Sequence, residues 1–482
     1  MRTSKSVLCL LLIVGVCGRL FGAEERPNIV LILCDDLGYA DVGFNGSPDI
    51  KTPRLDALAS GGVTFKSAYV AHPFCGPSRM SLMTGRYPHA MGTPFNLPNS
   101  GHGIEAYNRL GVPVSEKLIS SVLQDAGYYT GAIGKWHMGI TRPYHPNTRG
   151  FDDYYGFLGG GHRYFPEQFK PAYAAEVAKG TKHINEYLLP LERNGVAVDE
   201  TDYITDALSR EAARFVREAH GKEKPFFLYL AYNAPHSPLE AKDEDLALYA
   251  HIKDRKRRIF AAMVHAVDRG VGELVDALEE TNTLENTLIV FLSDNGGKLE
   301  LGANNGPLRE GKGSAFEGGF RVPMFFHWPK GLPRGRTFEY PVTSLDFYPT
   351  FAALGHASVP PEKQLDGRNI IPGVVANRDT RSGEMIYVLR HRKAYHDVGG
   401  RIDDWKVSRV GQSAWRLFNL AEDIGEHVDL SAQHPRRVAR MVKQLERWTH
   451  TYAEPQWFHI WAEGEEWRAD GMPRYDETFL EP

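Results

Sequence analysis

Short apolar runs alternate along the chain with longer segments whose apolar residues repeat at helical spacing. Between the runs, residues 204–219 and 259–278 carry their apolar side chains on one helical face. Strands that alternate with helices are typical of a doubly wound α/β domain, and this is the fold class that the pattern predicts. Five runs have the length and composition of buried strands: Asn28–Cys34, Tyr128–Ile133, Phe226–Ala231, Thr287–Leu292 and Val322–His327.

A smaller unit is predicted after the main domain. A passage rich in proline and glycine extends from Pro360 to Gly373. Beyond it lie short alternating runs near Trp405–Val410 and Trp415–Leu420, and a helical pattern from Arg436 to Trp448. We therefore expect a main α/β domain over residues 24–375 and a C-terminal α+β subdomain over residues 376–482.

The first residues predict export. Arg2 and Lys5 precede the apolar run 7–16, and small residues follow at 22–23, which is the pattern of a secretory signal peptide over residues 1–23. The run is too short to span a bilayer, so no transmembrane segment is expected. Cys17 leaves a lipoprotein leader as an alternative, although the residue before it fits that pattern poorly. After cleavage only Cys34 and Cys75 remain, which favours a bacterial periplasm or exterior over an animal secretory pathway.

Composition and charge exclude several classes of protein. Of the 482 residues, 42% are hydrophobic and 24% are charged, which excludes a disordered or collagen-like chain. The formal net charge is −4, and it becomes −7 when the predicted leader is removed with its three cations. Nucleic-acid-binding proteins usually carry a marked basic excess, so no nucleic-acid partner is expected.

Polar residues follow four of the predicted strands at the point where each strand ends. Because open α/β sheets bind their ligands at the carboxyl ends of the strands, we expect these residues to form a single site. In strand order they are Asp35 and Asp36, then Lys135 and His137, then His236, then Asp294 and Asn295.

The carboxylates and the amide of this set are hard oxygen donors. Three carboxylates and an amide oxygen suit Ca²⁺ or Mg²⁺ better than zinc, and the sequence lacks a His-Glu-x-x-His or paired-cysteine zinc pattern. Each motif also has an ordinary structural interpretation. Asp35-Asp36 can cap a helix, and Asn295-Gly296 can form a hairpin turn.

The same set of strand-end residues also includes a lysine and two histidines. Lys135 would suit an anionic substrate, with His137 or His236 moving a proton. Taken alone, each histidine is more often a surface or core residue, and Lys312 lies in a glycine-rich segment typical of a solvated loop. That segment is not a phosphate-binding P-loop, because Gly313 stands where a serine or threonine must bind magnesium. A serine-hydrolase elbow at Gly76–Met80 is likewise rejected, because its final glycine is missing.

The segment around Cys75 resembles a known family. Cys75-Gly76-Pro77-Ser78-Arg79 is similar to the Cys-x-Pro-x-Arg signature of the formylglycine-dependent sulfatases, and 82–86 to that family's second motif. The other motifs follow in the family's order, and the resemblance runs from Pro27 to the final helix. It implies an alkaline-phosphatase-like fold, a doubly wound central sheet with a smaller C-terminal α+β subdomain. A lone cysteine is otherwise most often an inert core residue.

The resemblance also implies a role for each site residue. A formylglycine-generating maturation enzyme would oxidise Cys75, and the hydrated aldehyde would attack sulfur with one hydroxyl and expel sulfate with the other. Asp35, Asp36, Asp294 and Asn295 would hold Ca²⁺, or less favourably Mg²⁺, together with residue 75. Arg79 would support the diol, Lys135 and Lys312 would hold sulfate oxygens, His137 would accept a proton and His236 would protonate the leaving oxygen. Glu310 departs from the glycine of many relatives.

The function expected is the hydrolysis of sulfate esters on a carbohydrate. The glycine-rich loop before Tyr164 is a candidate substrate loop, in which His162 and Arg163 would contact the sugar or a second sulfate; a solvated surface loop is the alternative. Two other functions stay open. One is hydrolysis of phosphoric esters or phosphonates by the same superfamily, and the other is non-catalytic glycan binding on a sulfatase fold.

Overall fold

The computed structural model describes residues 26–98, 107–391, 396–411 and 413–459. The predicted signal peptide lies outside these residues. The strands are β1 (Asn28–Cys34), β2 (Val63–Phe65), β3 (Ala68–Tyr69), β4 (Tyr129–Lys135), β5 (Asp153–Phe157), β6 (Glu192–Arg193), β7 (Val196–Ala197), β8 (Phe226–Ala231), β9 (Thr287–Ser293), β10 (Met324–His327), β11 (Arg336–Phe338), β12 (Val342–Thr343), β13 (Met385–His391), β14 (His396–Ile402), β15 (Trp405–Arg409) and β16 (Arg416–Asn419). The helices are α1 (Pro53–Ser60), α2 (Cys75–Thr84), α3 (Ile119–Asp125), α4 (Pro166–Ala178), α5 (Ile204–His220), α6 (Asp243–Leu248), α7 (Arg255–Glu280), α8 (Glu317–Phe320), α9 (Phe347–Leu354), α10 (Ile371–Ala376) and α11 (Pro435–Thr449).

A large mixed sheet forms the centre of the molecule. In the part of the chain described, its strand order is β11-β2-β10-β9-β1-β8-β4-β5-β6-β7. The five strands β9, β1, β8, β4 and β5 run parallel, and β10 pairs antiparallel with β9. All five apolar runs in the sequence form strands of this sheet, because they are long enough and apolar enough to be buried on both faces.

Helices cover both faces of the sheet. On one face α5 and α7 pack against side chains such as Val30, Ile32 and Leu230. On the other face α2, α3 and α9 pack against Ile29, Leu31 and Phe227. The doubly wound α/β architecture predicted from the alternating pattern is therefore confirmed.

A separate four-stranded antiparallel sheet, β13-β14-β15-β16, follows the main sheet in the chain. Met441, Leu445 and Trp448 of α11 pack on its apolar side chains. The two runs predicted in this region form β15 and β16, and the predicted last helix is α11. The domain boundary at 375/376 stays a prediction. Among the described residues, no helix combines the length and the apolar character that a membrane span requires.

Candidate active site

The carboxyl ends of the parallel strands bring the predicted polar residues together. Asp35 directly follows β1, Lys135 ends β4 and Asp294 directly follows β9. All three are at most 1% exposed. As predicted, these three strand ends meet at one place. Lys135 contacts Asp35, and Arg79 contacts both Asp294 and the Lys135 carbonyl.

Cys75 is the first residue of helix α2, and every residue of this helix is buried. The Gly76 N–H donates to Asn96 Oδ1 at 2.9 Å, and Cys75 Sγ lies 3.7 Å from the same oxygen. Burial raises the pKa of the Cys75 thiol, although Lys135 and Lys312 oppose this. The side chain at 75 thus lies at a helix N-terminus, where the partial positive charge favours an anion.

Arg79 lies one turn after Cys75 and is fully buried. Its Nε donates to Asp294 Oδ2 at 2.8 Å, and its Nη1 donates to the Lys135 carbonyl at 3.1 Å and to Tyr229 Oη at 3.3 Å. Arg79 therefore ties the helix that carries Cys75 to the ends of β4 and β9.

Two lysines extend into the site from different elements. Lys135 Nζ donates to Asp35 Oδ2 at 2.5 Å, and Lys312 Nζ donates to Asp36 Oδ1 at 2.5 Å. Burial by itself would raise the pKa of Asp35, but the charges of Lys135, His236 and Arg79 outweigh it and hold that pKa well below its usual range. Burial, followed by the negative charge of Asp35, raises the pKa of Asp294.

The donor set fits a divalent cation that prefers oxygen. Asp35 Oδ1, Asp36 Oδ2 and Asn295 Oδ1 are buried without a hydrogen-bond partner, and buried polar atoms of this kind are rare unless a ligand satisfies them. Asp35, Asp36 and His236 each offer an atom within 4.8 Å of the others. Asp294 is not in this group of three, and its Oδ2 accepts from Arg79.

Both predicted catalytic histidines are enclosed. His236 Nε2 lies 3.7 Å from Asp36 Oδ2, and its Nδ1 lies 2.8 Å from the Ser237 carbonyl. His137 is 4% exposed, and its Nδ1 is buried without a partner among the described residues. Burial lowers the pKa of both rings, and Lys135 lowers that of His137 further. Burial thus favours the neutral form of each ring.

Three non-glycine residues near these groups adopt left-handed backbone conformations: Asp36 (φ 66°), His137 (φ 58°) and Glu310 (φ 59°). Such strain tends to be retained at functional sites. The value at Glu310 gives a physical reason for the glycine of many relatives, because glycine adopts positive φ without cost. The Glu310 carboxylate accepts a hydrogen bond from Ser314 Oγ.

The predicted substrate loop holds its polar side chains in internal contacts. His162 is fully buried, and its two ring nitrogens lie 2.6 Å from the Arg163 carbonyl and 2.7 Å from the Leu189 carbonyl. Arg163 pairs with Glu240 at 2.6 Å. This geometry favours a role in fixing the loop and does not favour the substrate contact predicted for His162.

The sequence did not predict the residues that pack behind His137. An added Cβ at Gly160 would lie 2.8 Å from His137 Nε2 and 3.1 Å from Glu186 Oε1, and one at Gly161 would overlap the Tyr187 ring. The Gly160 N–H donates to Glu186 Oε1 at 3.0 Å, and Tyr107 Oη donates to Glu186 Oε2 at 3.2 Å. The three successive glycines let a thin segment of backbone pass close to Glu186 and Tyr187, and Gly160 also faces His137. That run of glycines was the available sequence signal.

Comparisons with known proteins show the family of the chain. The family model described as Sulfatase matches residues 27–357. N-acetylgalactosamine-6-sulfatase of Mus musculus is 33% identical over 87% of this chain and 78% of its own length. Arylsulfatase G of Homo sapiens is 31% identical over 84% of this chain and 83% of its own. The crystal structure of Ps i-CgsB in complex with k-i-k-neocarrahexaose superposes with a TM-score of 0.92 at 57% identity, covering 95% of this chain and all of that one.

The fold and the site define a hydrolase of the alkaline-phosphatase-like α/β class. A phosphonate monoester hydrolase, at 18% identity and a TM-score of 0.65, shares this fold. The chain belongs to the sulfatase family, and its activity is the hydrolysis of sulfuric esters.

Proposed function

We propose that this sulfatase removes sulfate from a carbohydrate of the carrageenan type. The observation that carries the proposal is the convergence of Lys135, Lys312 and Arg79 around the start of α2, where a tetrahedral anion would meet residue 75. The carbohydrate class is supported by the 57% identity to a protein whose structure holds k-i-k-neocarrahexaose.

The proposed nucleophile is Cys75 after oxidation to formylglycine by a maturation enzyme. The hydrated aldehyde supplies one hydroxyl that attacks sulfur and a second whose proton is later lost as sulfate departs. Two residues close to Cys75 support this role. Arg79 lies one turn away on the same helix, and the amide of Asn96 contacts the Gly76 N–H.

The proposed metal is Ca²⁺, with Mg²⁺ less favoured, held by Asp35, Asp36, Asp294, Asn295 and residue 75. The orphaned oxygens of Asp35, Asp36 and Asn295 support this assignment, since hard cations prefer carboxylate and amide oxygen. When bound, the cation would polarise a sulfate oxygen. His236 offers an atom to the same group as Asp35 and Asp36. Its position therefore suits either binding of the metal or protonation of the leaving oxygen.

The remaining side chains bind sulfate and move protons. Lys135 and Lys312 bind sulfate oxygens as charge shifts in the transition state. His137, whose neutral form burial favours, accepts a proton from residue 75. His236, in its protonated form beside Asp35 and Asp36, protonates the leaving alcohol oxygen.

We also propose that the chain is exported to a bacterial periplasm or exterior after loss of residues 1–23. The mature protein then comprises a catalytic domain over 24–375 and a C-terminal subdomain over 376–482. The position of the four-stranded sheet, which begins at Met385, supports this division.

The test is to produce the protein with and without a formylglycine-generating enzyme. With the enzyme, the Cys75 peptide should lose sulfur, gain oxygen and react with carbonyl reagents, while Cys34 stays a thiol. Only that sample should release sulfate from k-i-k-neocarrahexaose, and Cys75→Ala should release none. A Cys34→Ala variant is the matched control and should stay active. Full activity of unmodified protein, or faster cleavage of a matched phosphate ester, would contradict the proposal.

A further inference from the structure

Helix α11 carries a row of four exposed cations outside the active site. Arg436, Arg440, Lys443 and Arg447 are separated by four, three and four residues, so they lie on one face of the helix. All four are exposed. At 1.5 Å per residue the row is about 16 Å long. We call it the α11 stripe.

None of the four cations in the α11 stripe forms an ion pair within the part of the chain that the structure describes. The arginines of α5 behave differently: Arg210 pairs with Glu200, Arg214 with Glu211 and Arg217 with Glu280. An ordinary solvated helix interleaves acids with bases in this way. A row of four unpaired cations repels itself, and it is unusual in a chain whose net charge is −4. A polyanion bound along the helix would relieve this repulsion.

The stripe begins beside a groove whose walls suit a sugar. The groove has a volume of about 230 Å³ and is lined by Trp405, Arg437 and Arg440 together with Asp403 and Asp404. The Arg437 guanidinium lies 3.8 Å from the centre of a Trp405 ring, and its Nη1 is buried without a hydrogen-bond partner. The carboxylates can accept hydrogen bonds from sugar hydroxyls, and the cations can bind sulfate groups. Together with the aromatic ring, they favour a sulfated carbohydrate as the ligand over a purely anionic surface.

The other end of α11 leads toward the active site. Trp448, the residue after Arg447, packs against Tyr87 and His89, and the His89 ring lies 5.7 Å from that of His72. His72 precedes Cys75 by three residues. The end of α11 that carries Arg447 therefore packs, through Trp448, on residues that follow the helix of Cys75.

We propose that the α11 stripe binds the backbone of a sulfated polysaccharide at a site separate from the catalytic centre. This rests on the proposed function only for the class of ligand. The attraction comes from release of counterions when the cations neutralise regularly spaced sulfates, so binding weakens as salt rises, as it does for other polyanions. The stripe would raise the local concentration of polymer without touching the bond that breaks.

The experiment uses the catalytically inactive Cys75→Ala protein, so binding is measured without turnover. Arg440→Glu/Lys443→Glu reverses the middle of the stripe. Lys51→Glu/Arg255→Glu makes the same change in net charge at exposed cations of the main domain and is the matched control. We expect affinity for long sulfated galactan to fall at least tenfold in the stripe variant, with a shallower dependence on salt, and to stay within twofold in the control.

Activity separates this site from the catalytic one. In the unmutated-cysteine background, hydrolysis of a small aryl sulfate should be equal in all three proteins, whereas the KM for polymer should rise only in the stripe variant. Equal polymer binding by the stripe variant and the control would overturn the proposal. So would binding of anionic lipid vesicles as tight as that of the polysaccharide, because the surface would then be a general anion patch. A protein inactive on every sulfate ester would contradict the proposed function and still leave the binding comparison decisive.

Discussion

Arg79 Nε donates to Asp294 Oδ2 at 2.8 Å, and neither side chain has any exposed surface. The two residues are 215 positions apart in the chain, so this contact joins helix α2 to the end of β9. A buried pair of this kind is expensive to break, because each partner left alone is an uncompensated charge. Arg79 therefore has a structural role in addition to any role at residue 75.

Arg79→Lys should destabilise the protein while keeping the charge. A lysine ammonium cannot bond Asp294, the Lys135 carbonyl and Tyr229 at once, so buried acceptors lose their donor and the free energy of unfolding should fall by about 2–4 kcal/mol. The comparison is made in Cys75→Ala protein, so that both samples have the same residue at 75. Arg54→Lys is the control, since its pair with Asp276 is exposed and should change stability by less than about 1 kcal/mol. Equal effects would show that the buried network is not needed.

Calcium should stabilise the folded protein. A ligand that binds only the folded state at a hundred times its dissociation constant adds about 2.7 kcal/mol to the free energy of unfolding. After chelation we expect Tm to rise on adding Ca²⁺, less on adding Mg²⁺, and this rise to be lost in Asn295→Ala. Asn419→Ala, in the small sheet, should keep the full rise. A response to Zn²⁺ alone would contradict the assignment of oxygen ligands.

His236→Ala should slow the hydrolysis of a sugar sulfate by about 10²–10⁴-fold, the usual contribution of a general acid. The loss should be much smaller on an aryl sulfate, whose phenolate leaves without protonation. Because His236 also lies near Asp36, calcium binding is measured on the same variant by the Tm shift. Equal losses on the two substrates, together with a lost shift, would assign His236 to the metal and not to proton transfer.

The sequence predicted the strands best where burial is uniform. Asn28–Cys34 and Phe226–Ala231 were placed to the residue because nearly all of their side chains are apolar. Strand β5 was missed because Asp153 and Gly156 interrupt its aromatic residues, and its pairing with β4 is decided by the tertiary fold. Strand β14 was missed for a similar reason: its Arg401 is buried where Tyr69, 332 residues away, accepts one of its hydrogen bonds.

In the site, too, local motifs could be predicted from the sequence and tertiary contacts could not. Residues in contiguous motifs, such as Cys75 and Arg79, could be proposed from the sequence because their spacing is local. Asn96 and Glu186 lie in no motif and reach the site only through the folding of their loops. The placement of His162 was the least well anticipated, because a histidine in a glycine-rich loop gives no sign of whether its ring points inward or outward.

A buried histidine should make stability depend on pH. Burial keeps the pKa of His89 well below 6.5, so the unfolded chain binds more protons than the folded chain as the pH falls below 6.5. Stability should therefore be full above pH 6.5 and fall as the pH decreases, by up to about 1.4 kcal/mol per pH unit from this group. His89→Phe should flatten the dependence measured by urea unfolding between pH 5 and 7, whereas His183→Phe, at an exposed position, should not. An unchanged slope in His89→Phe would place the dependence elsewhere.

Gly160→Ala tests whether His137 is held in place by the backbone that faces it. The added Cβ would lie 2.8 Å from His137 Nε2, closer than such contacts allow, so the ring has to move. Gly159→Ala is a close control, since its Cβ would meet Glu186 at 2.7 Å, and no His137 atom is among its nearest neighbours. A displacement of about 1 Å at a catalytic group can cost about a hundredfold in rate. We expect kcat to fall about 10–100-fold in Gly160→Ala on both sugar and aryl sulfates. Tm should stay nearly unchanged, because only the ends of side chains must shift. In Gly159→Ala the fall in kcat should be far smaller. Equal losses in the two variants would trace the effect to Glu186 and the loop it anchors. Full activity in Gly160→Ala would mean that the position of His137 does not limit the reaction.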